Sequence, residues 1–184
     1  MKGTIKRALS NEQEDEKLKE ALRQNPKEQS ENVMVVDLVR NDLTKVCKEY
    51  SVKVEELFGV YSFPQVHQMV STISGELKDN ISFSEIIAAT FPMGSMTGAP
   101  KHSVMQLIDE YEPSARGIFS GSVGYIRPDG DFDFNVVIRS IMYNHSKNYL
   151  SYQVGSGITF YSDAEKEWEE CMLKADAIKQ VLTS

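Results

Sequence analysis

The sequence predicts an α+β fold, a mainly antiparallel sheet with helices packed on it. Strand-like segments cluster in the second half, most clearly Phe119–Arg127 and Phe132–Tyr143 on either side of Pro128-Asp129-Gly130-Asp131, a strong hairpin turn. Val66 to Leu77 alternates well enough to be a further strand, and helix-forming stretches open and close the chain.

Taken in order, residues 10–24 read as a helix, since Glu12 to Arg23 has few breakers and many good helix formers. A second helix begins near Asn25. That residue can cap, Pro26 suits the first helical position, and Glu28 completes a capping-box-like pattern, so the helix should run to about Val46. Residues 47–64 read as a short helix and a loop ending at Phe63-Pro64. The strand at Val66–Leu77 is followed by a short helix at Ser84–Thr90. A Gly-rich turn from Phe91 to Ala99 then leads through Pro100 into a helix over about 100–111. Beyond the hairpin, a looser turn at Asn144–Asn148 leads to a strand at Tyr149–Gly155, and the last helix runs from near Asp163 to about Leu182.

At 184 residues and 41% hydrophobic content, the chain is one domain or part of a larger one, with enough apolar residues for a core. A formal charge of −7 argues against nucleic acid or an anionic membrane surface as partner. No run approaches the ~20 apolar residues that span a membrane, and the polar residues Met1 to Arg7 are no signal peptide. Cys47 and Cys171 are the only cysteines and form no CxxC or Cys/His cluster. A disulfide framework or zinc site is therefore not expected, and the cytoplasm is the expected compartment.

The chemistry concentrates on two helices. On the last one, at about 100° per residue, Glu170 and Lys174 fall within about 60° of Glu167. Cys171, Ile178, Val181 and Leu182 share that side, while Glu165, Glu169, Asp176 and Gln180 take the opposite, polar one. On the helix from Asn25, Glu28 and Glu31 lie in the same stripe as Val35, Val39 and Val46. A single inward Glu could be a cap, and a lone charged stripe is usually a solvated face. Two inward Glu-x-x-Glu pairs on separate helices instead offer hard oxygen ligands of the kind Mg²⁺ takes. Other patterns fail. The segment Gly94 to Lys101 lacks P-loop spacing, and Asp129, Asp131 and Asp133 open a calcium loop that Phe134 breaks.

In order along the chain stand Lys2-Gly3-Thr4, the run Glu31 to Asp42 with Asp37 and Arg40-Asn41-Asp42, and His67. They are followed by Pro92 to Lys101, Gly121 to Tyr125, Val137 to Ser140, Gly155-Ser156-Gly157, and Glu167 through Lys174. In that order they resemble the chorismate-binding enzymes, the family of anthranilate, aminodeoxychorismate, isochorismate and salicylate synthases. The resemblance implies the C-terminal portion of an α/β/β/α sandwich with mainly antiparallel sheets, residues 1–184 being the C-terminal part of the chorismate-binding domain and the N-terminal half of the family fold being absent. It implies Mg²⁺ on Glu31 and Glu170, with Glu28 and Glu167 as companions. It places Arg139, Lys174 and the backbone around Gly155 and Gly157 on substrate carboxylates, Ser95 and Tyr125 about the ring of chorismate, and His67 as a catalytic residue near the departing C4 hydroxyl.

Lys2 implies a branch within the family. Aminodeoxychorismate synthases typically carry Lys-Gly-Thr where anthranilate synthases carry Ala-Gly-Thr, and the lysine is the nucleophile toward chorismate. Ammonia, supplied by a glutamine amidotransferase subunit, then gives 4-amino-4-deoxychorismate. Without its N-terminal half, the truncated fold should carry unpaired edges and an open apolar face, which predict self-association or assembly with another chain.

Overall fold

Two asparagines open the first two helices by the same device. Asn11 accepts from the backbone N–H of Gln13 and Glu14, and Asn25 accepts from Lys27 and Glu28, with Pro26 at the first helical position. In the computed structural model of the chain, which describes residues 1–160 and 162–183, β1 (Thr4–Lys6) precedes α1 (Glu12–Arg23) and α2 (Pro26–Val46). Then come β2 (Lys53–Ser62), β3 (Val66–Ser74), α3 (Phe83–Thr90) and α4 (Lys101–Tyr111). A 3₁₀ turn at Gly94–Met96 separates the last two. The second half carries β4 (Ser122–Ile126), β5 (Phe132–Val136), β6 (Ile141–Asn144), β7 (Tyr149–Tyr152) and α5 (Ala164–Thr183). The chain divides into two compact units, Met1–Glu112 and Pro113–Ser184.

The first unit is a three-stranded antiparallel sheet in the order β1-β3-β2, with α1 and α2 packed on it. The centre strand β3 sets the core. His67 (1% exposed) and Met69 (0%) point to one face by the two-residue period, and Val36 and Val46 of α2 are buried with them. The region 47–64 is the principal departure from the sequence reading. It holds no helix, and β2 occupies most of it, paired with β3 from Lys53↔Ser74 to Ser62↔His67. The reason lies in two register shifts, between Val54 and Glu56 and between Glu56 and Gly59, with Phe58 at φ 60°. Such bulges break the alternation by which a strand is recognised.

The second unit contains two antiparallel hairpins, β4-β5 and β6-β7, and α5. The expected strand Phe132–Tyr143 is two strands. Val137 leaves the ladder to exchange backbone hydrogen bonds with Ser120 and Gly121, Arg139 takes a left-handed φ of 52°, and the chain emerges as β6 with β7 as its partner. On α5, Glu167, Ala175 and Ile178 are buried, whereas Val181 and Leu182, expected on the apolar side, are 68% and 44% exposed. The last turn therefore leaves the buried stripe. Among the described residues no helix is long and apolar enough to cross a membrane.

α1 is pinned to the sheet by Asp15. Its carboxylate accepts from Arg7 Nη2 at 2.8 Å and from the Ala8 N–H at 2.8 Å, and it lies 3.1 Å from His67 Nε2. The Arg7 hydrogen bonds hold the Asp15 carboxyl down to about 2, against the upward pull of burial. A folded-state value below the unfolded one of about 3.9 means that the contribution is complete above about pH 4 and is lost as the pH falls toward 2. Urea unfolding midpoints across that window should therefore fall more steeply for the wild type than for Asp15→Asn. Parallel profiles would show that this carboxylate is not the acid-sensitive tie.

Candidate active site

The residues flagged at the start of the chain meet at one point of the first unit. β1 pairs with β3, and the preceding Lys2 N–H donates to the Met69 carbonyl at 3.1 Å. The Lys2 side chain then turns to α2, where its Nζ lies 2.9 Å from Glu31 Oε2. Both groups are largely enclosed, with side-chain exposures of 25% and 12%. Lys27, one helical turn before Glu31, stands 3.9 Å from its other oxygen.

Gly3 makes this approach possible. It has φ +102°, and a Cβ there would sit 3.0 Å from Glu28 Oε2 and 3.1 Å from Met69 Cβ. Any other residue would push the Glu28 carboxylate away and strain the backbone. Glu28 and Glu31 are both half-buried, as their stripe predicted.

A residue without an assigned role in the sequence fixes the arrangement. Asn32, 2% exposed, donates from Nδ2 to the Lys2 carbonyl at 3.1 Å, and its Oδ1 accepts from Ser71 Oγ at 2.6 Å. It therefore ties α2 to the Lys2 backbone and to β3 at once. Its signal was a polar residue between the two Glu residues and the apolar stripe, too weak to separate from an ordinary helix polar position.

His67 hydrogen-bonds within the fold through Nδ1, while its buried Nε2 lies near the Asp15 carboxylate without a hydrogen bond. Nδ1 is 2.9 Å from Ser62 Oγ, Nε2 is 3.1 Å from Asp15 Oδ1, and the ring is 1% exposed. Ser95 stands exposed in the 3₁₀ turn. That turn rests on α2, because a Cβ on Gly94 would fall 2.7 Å from Leu38 Cβ. An ion pair holds the end of the same loop: Lys101, the first residue of α4, contacts Asp42 of α2, which also binds Lys45 Nζ at 3.0 Å. Asp42 is 4% exposed. One helix thus presents Glu28 and Glu31 near its start and clamps the Ser95 loop with Leu38 and Asp42 further along.

In the second unit three flagged residues come together. Lys174 Nζ lies 2.6 Å from Glu170 one turn earlier and donates to the Gly155 carbonyl at 2.8 Å. Glu167 is 6% exposed on the same helix. The Gly157 carbonyl accepts from Ser162 Oγ at 3.4 Å. Arg139 stands exposed at its left-handed bend, and Tyr125 lies on β4 with the Arg127 guanidinium 5.7 Å from its ring centre. Among the described residues no three His, Cys, Asp or Glu side chains gather as a metal centre. Of the flagged pairs, Glu28/Glu31 in the first unit and Glu167/Glu170 in the second, Glu31 and Glu170 already attract ammonium groups.

The profile of the chorismate binding enzyme family matches residues 1–180. The chain belongs to that family. Among its relatives, the rice (Oryza sativa subsp. japonica) protein named probable aminodeoxychorismate synthase, chloroplastic, is 46% identical over 182 residues, 99% of this chain and 20% of its own length. The anthranilate synthase component 1 of Aquifex aeolicus is 41% identical over 180 residues, 98% of this chain and 36% of its own length. The solved menaquinone-specific isochorismate synthase of Escherichia coli superposes with a TM-score of 0.85 at 25% identity, covering 98% of this chain and 40% of that one. The chain therefore spans well under half the length of the relatives it matches. Its mixture of helices and antiparallel sheet is that of the anthranilate and isochorismate synthases.

Truncating Lys101→Met should cost at least about 2 kcal/mol in denaturant unfolding, because it leaves the buried Asp42 carboxylate with only the exposed Lys45. The double variant Asp42→Leu/Lys101→Met should recover most of that loss, since it removes both charges. A Lys101→Met stability equal to wild type would show that the pair holds nothing.

Proposed function

We propose that this chain carries chorismate-converting residues of an aminodeoxychorismate synthase, making 4-amino-4-deoxychorismate with Mg²⁺ as cofactor. The observation that supports this most is the Lys2 ammonium 2.9 Å from Glu31. The residue in which aminodeoxychorismate and anthranilate synthases differ thereby stands beside a carboxylate assigned to the metal. Overall identity does not separate the branches, at 46% to the rice protein and 41% to the Aquifex protein. The reading therefore rests on this position.

The pairs Glu28/Glu31 and Glu167/Glu170 each offer hard oxygen donors of the type a divalent cation takes, and Glu31 and Glu170 each already hold an ammonium group. Bound there, Mg²⁺ would neutralise a carboxylate of chorismate. The protein's own groups do the rest. Arg139, Lys174 and the backbone at Gly155 and Gly157 hold the substrate carboxylates, and Ser95, Tyr125 and His67 belong to the ring pocket.

The Lys2 amine forms a bond to ring carbon C2, both double bonds of the ring diene shift toward C4, and the C4–O bond breaks. The hydroxyl leaves as water with a proton from the site. Ammonia then bonds to C4 and gives up a proton, both double bonds shift back, and the C2–N bond to Lys2 breaks, which regenerates the amine. The ammonia comes from a glutamine amidotransferase subunit, in accord with the word "component" in the relatives' names. The cytosol is the compartment this reading assigns.

The test is made on the complete polypeptide that contains these residues, with chorismate and Mg²⁺ but no ammonium. Intact-mass analysis should show a covalent adduct confined to the peptide bearing Lys2, and Lys2→Ala should abolish both adduct and product. An adduct that persists in Lys2→Ala would sink the assignment. Separately, Arg139→Ala should raise KM for chorismate by about 10- to 100-fold, as expected for losing one charge-assisted contact. An unchanged KM would remove Arg139 from the carboxylate-binding set.

A further inference from the structure

The Lys2–Glu31 pair has a consequence beyond the reaction itself, and the inference rests on the metal reading above. We propose that the Lys2 ammonium and the divalent metal ion are alternative cations for Glu31, so that metal binding releases Lys2 from the carboxylate.

Lys2 Nζ sits at hydrogen-bond distance, 2.9 Å, on Oε2 of a side chain that is only 12% exposed. An enclosed carboxylate left without a cation is unfavourable, so a charge partner is favoured in either state. The second oxygen is held only loosely by Lys27 at 3.9 Å. The Lys2-Gly3 backbone is fixed in place. The Lys2 N–H is bonded to Met69 and its carbonyl to Asn32, and Gly3 is packed on Glu28 and Met69.

What can move is the four-carbon lysine stem. Its Nζ carries a positive charge within bonding distance of an oxygen the metal would use, and two cations at such a distance repel strongly where solvent screening is weak. The lysine leaves when the metal arrives and returns when it goes. The arrangement couples the two functions proposed for this corner. The amine is occupied by Glu31 until the metal is in place and is free to turn elsewhere afterwards.

The pair of Lys174 and Glu170 differs in one respect. Lys174 also donates to the Gly155 carbonyl and so keeps an anchor when its carboxylate is taken.

The test uses the chain itself and Mg²⁺ as the probe, with binding followed by isothermal titration calorimetry. Lys2→Ala should bind Mg²⁺ about tenfold more tightly than wild type, Lys2→Arg should remain at or below the wild-type affinity, and Glu31→Gln should bind weakly whatever occupies position 2. In parallel, labelling by an amine-reactive ester, read by peptide mass spectrometry, should speed up at Lys2 when Mg²⁺ is added and stay constant at the exposed Lys53. Equal affinities for wild type and Lys2→Ala would overturn the exchange while leaving the metal reading intact. Weaker binding by Lys2→Ala would overturn it as well. Absence of Mg²⁺ binding by every variant would remove the metal reading, and this inference with it.

Discussion

Asn32 is the constraint on which the first unit's chemistry depends. A side-chain amide at 2% exposure must find its partners inside the protein, and it finds them on two separate segments, the Lys2 carbonyl and the Ser71 hydroxyl. Its geometry allows no sliding of α2 along the sheet, because a shift of one residue would leave the amide unsatisfied at a cost of about 1–3 kcal/mol. With that register fixed, Glu28 meets Gly3 and Glu31 meets Lys2. Further along the same helix, Leu38 meets Gly94 and Asp42 meets Lys101. The helix acts as a ruler, and the spacing between its carboxylates and the Ser95 loop is set by the helical rise of about 1.5 Å per residue.

The two units handle their acidic residues alike. Glu31 and Glu170 are each held by a lysine, Lys2 in one and Lys174 in the other. In both cases the partner Glu three residues earlier is at least half-buried, which keeps a pair of carboxylates close to the low-dielectric interior. Such pairs repel one another, so they are stable only with cations nearby. The lysines supply that charge within the fold.

Much of this was legible in the sequence. The Asn25-Pro26 start of α2, its stripe and the turn at Pro128-Asp129-Gly130-Asp131 follow from local rules and are present, whereas the α5 stripe holds at Glu167 and Ile178 and fails at Val181 and Leu182. The strand β2 was not legible, because its bulges cancel the alternation and its pairing with β3 is decided by tertiary contact. The break at Arg139 was hidden for a similar reason. Nothing in Val137-Ile138-Arg139-Ser140 announces a left-handed residue, and the change of partner from β4 to β7 is a property of the assembled hairpins. Of the site, the residue types and their order were readable. That Lys2 bonds Glu31, that Asn32 sets the register and that Lys174 caps Gly155 required coordinates.

The claim that Lys2 directs this chain to amination at C4 is tested most directly by identifying the product. The complete polypeptide containing these residues, given chorismate, Mg²⁺ and ammonium, should release 4-amino-4-deoxychorismate, seen by mass spectrometry, with no pyruvate formed. Anthranilate appearing with one pyruvate for each chorismate consumed would contradict the account.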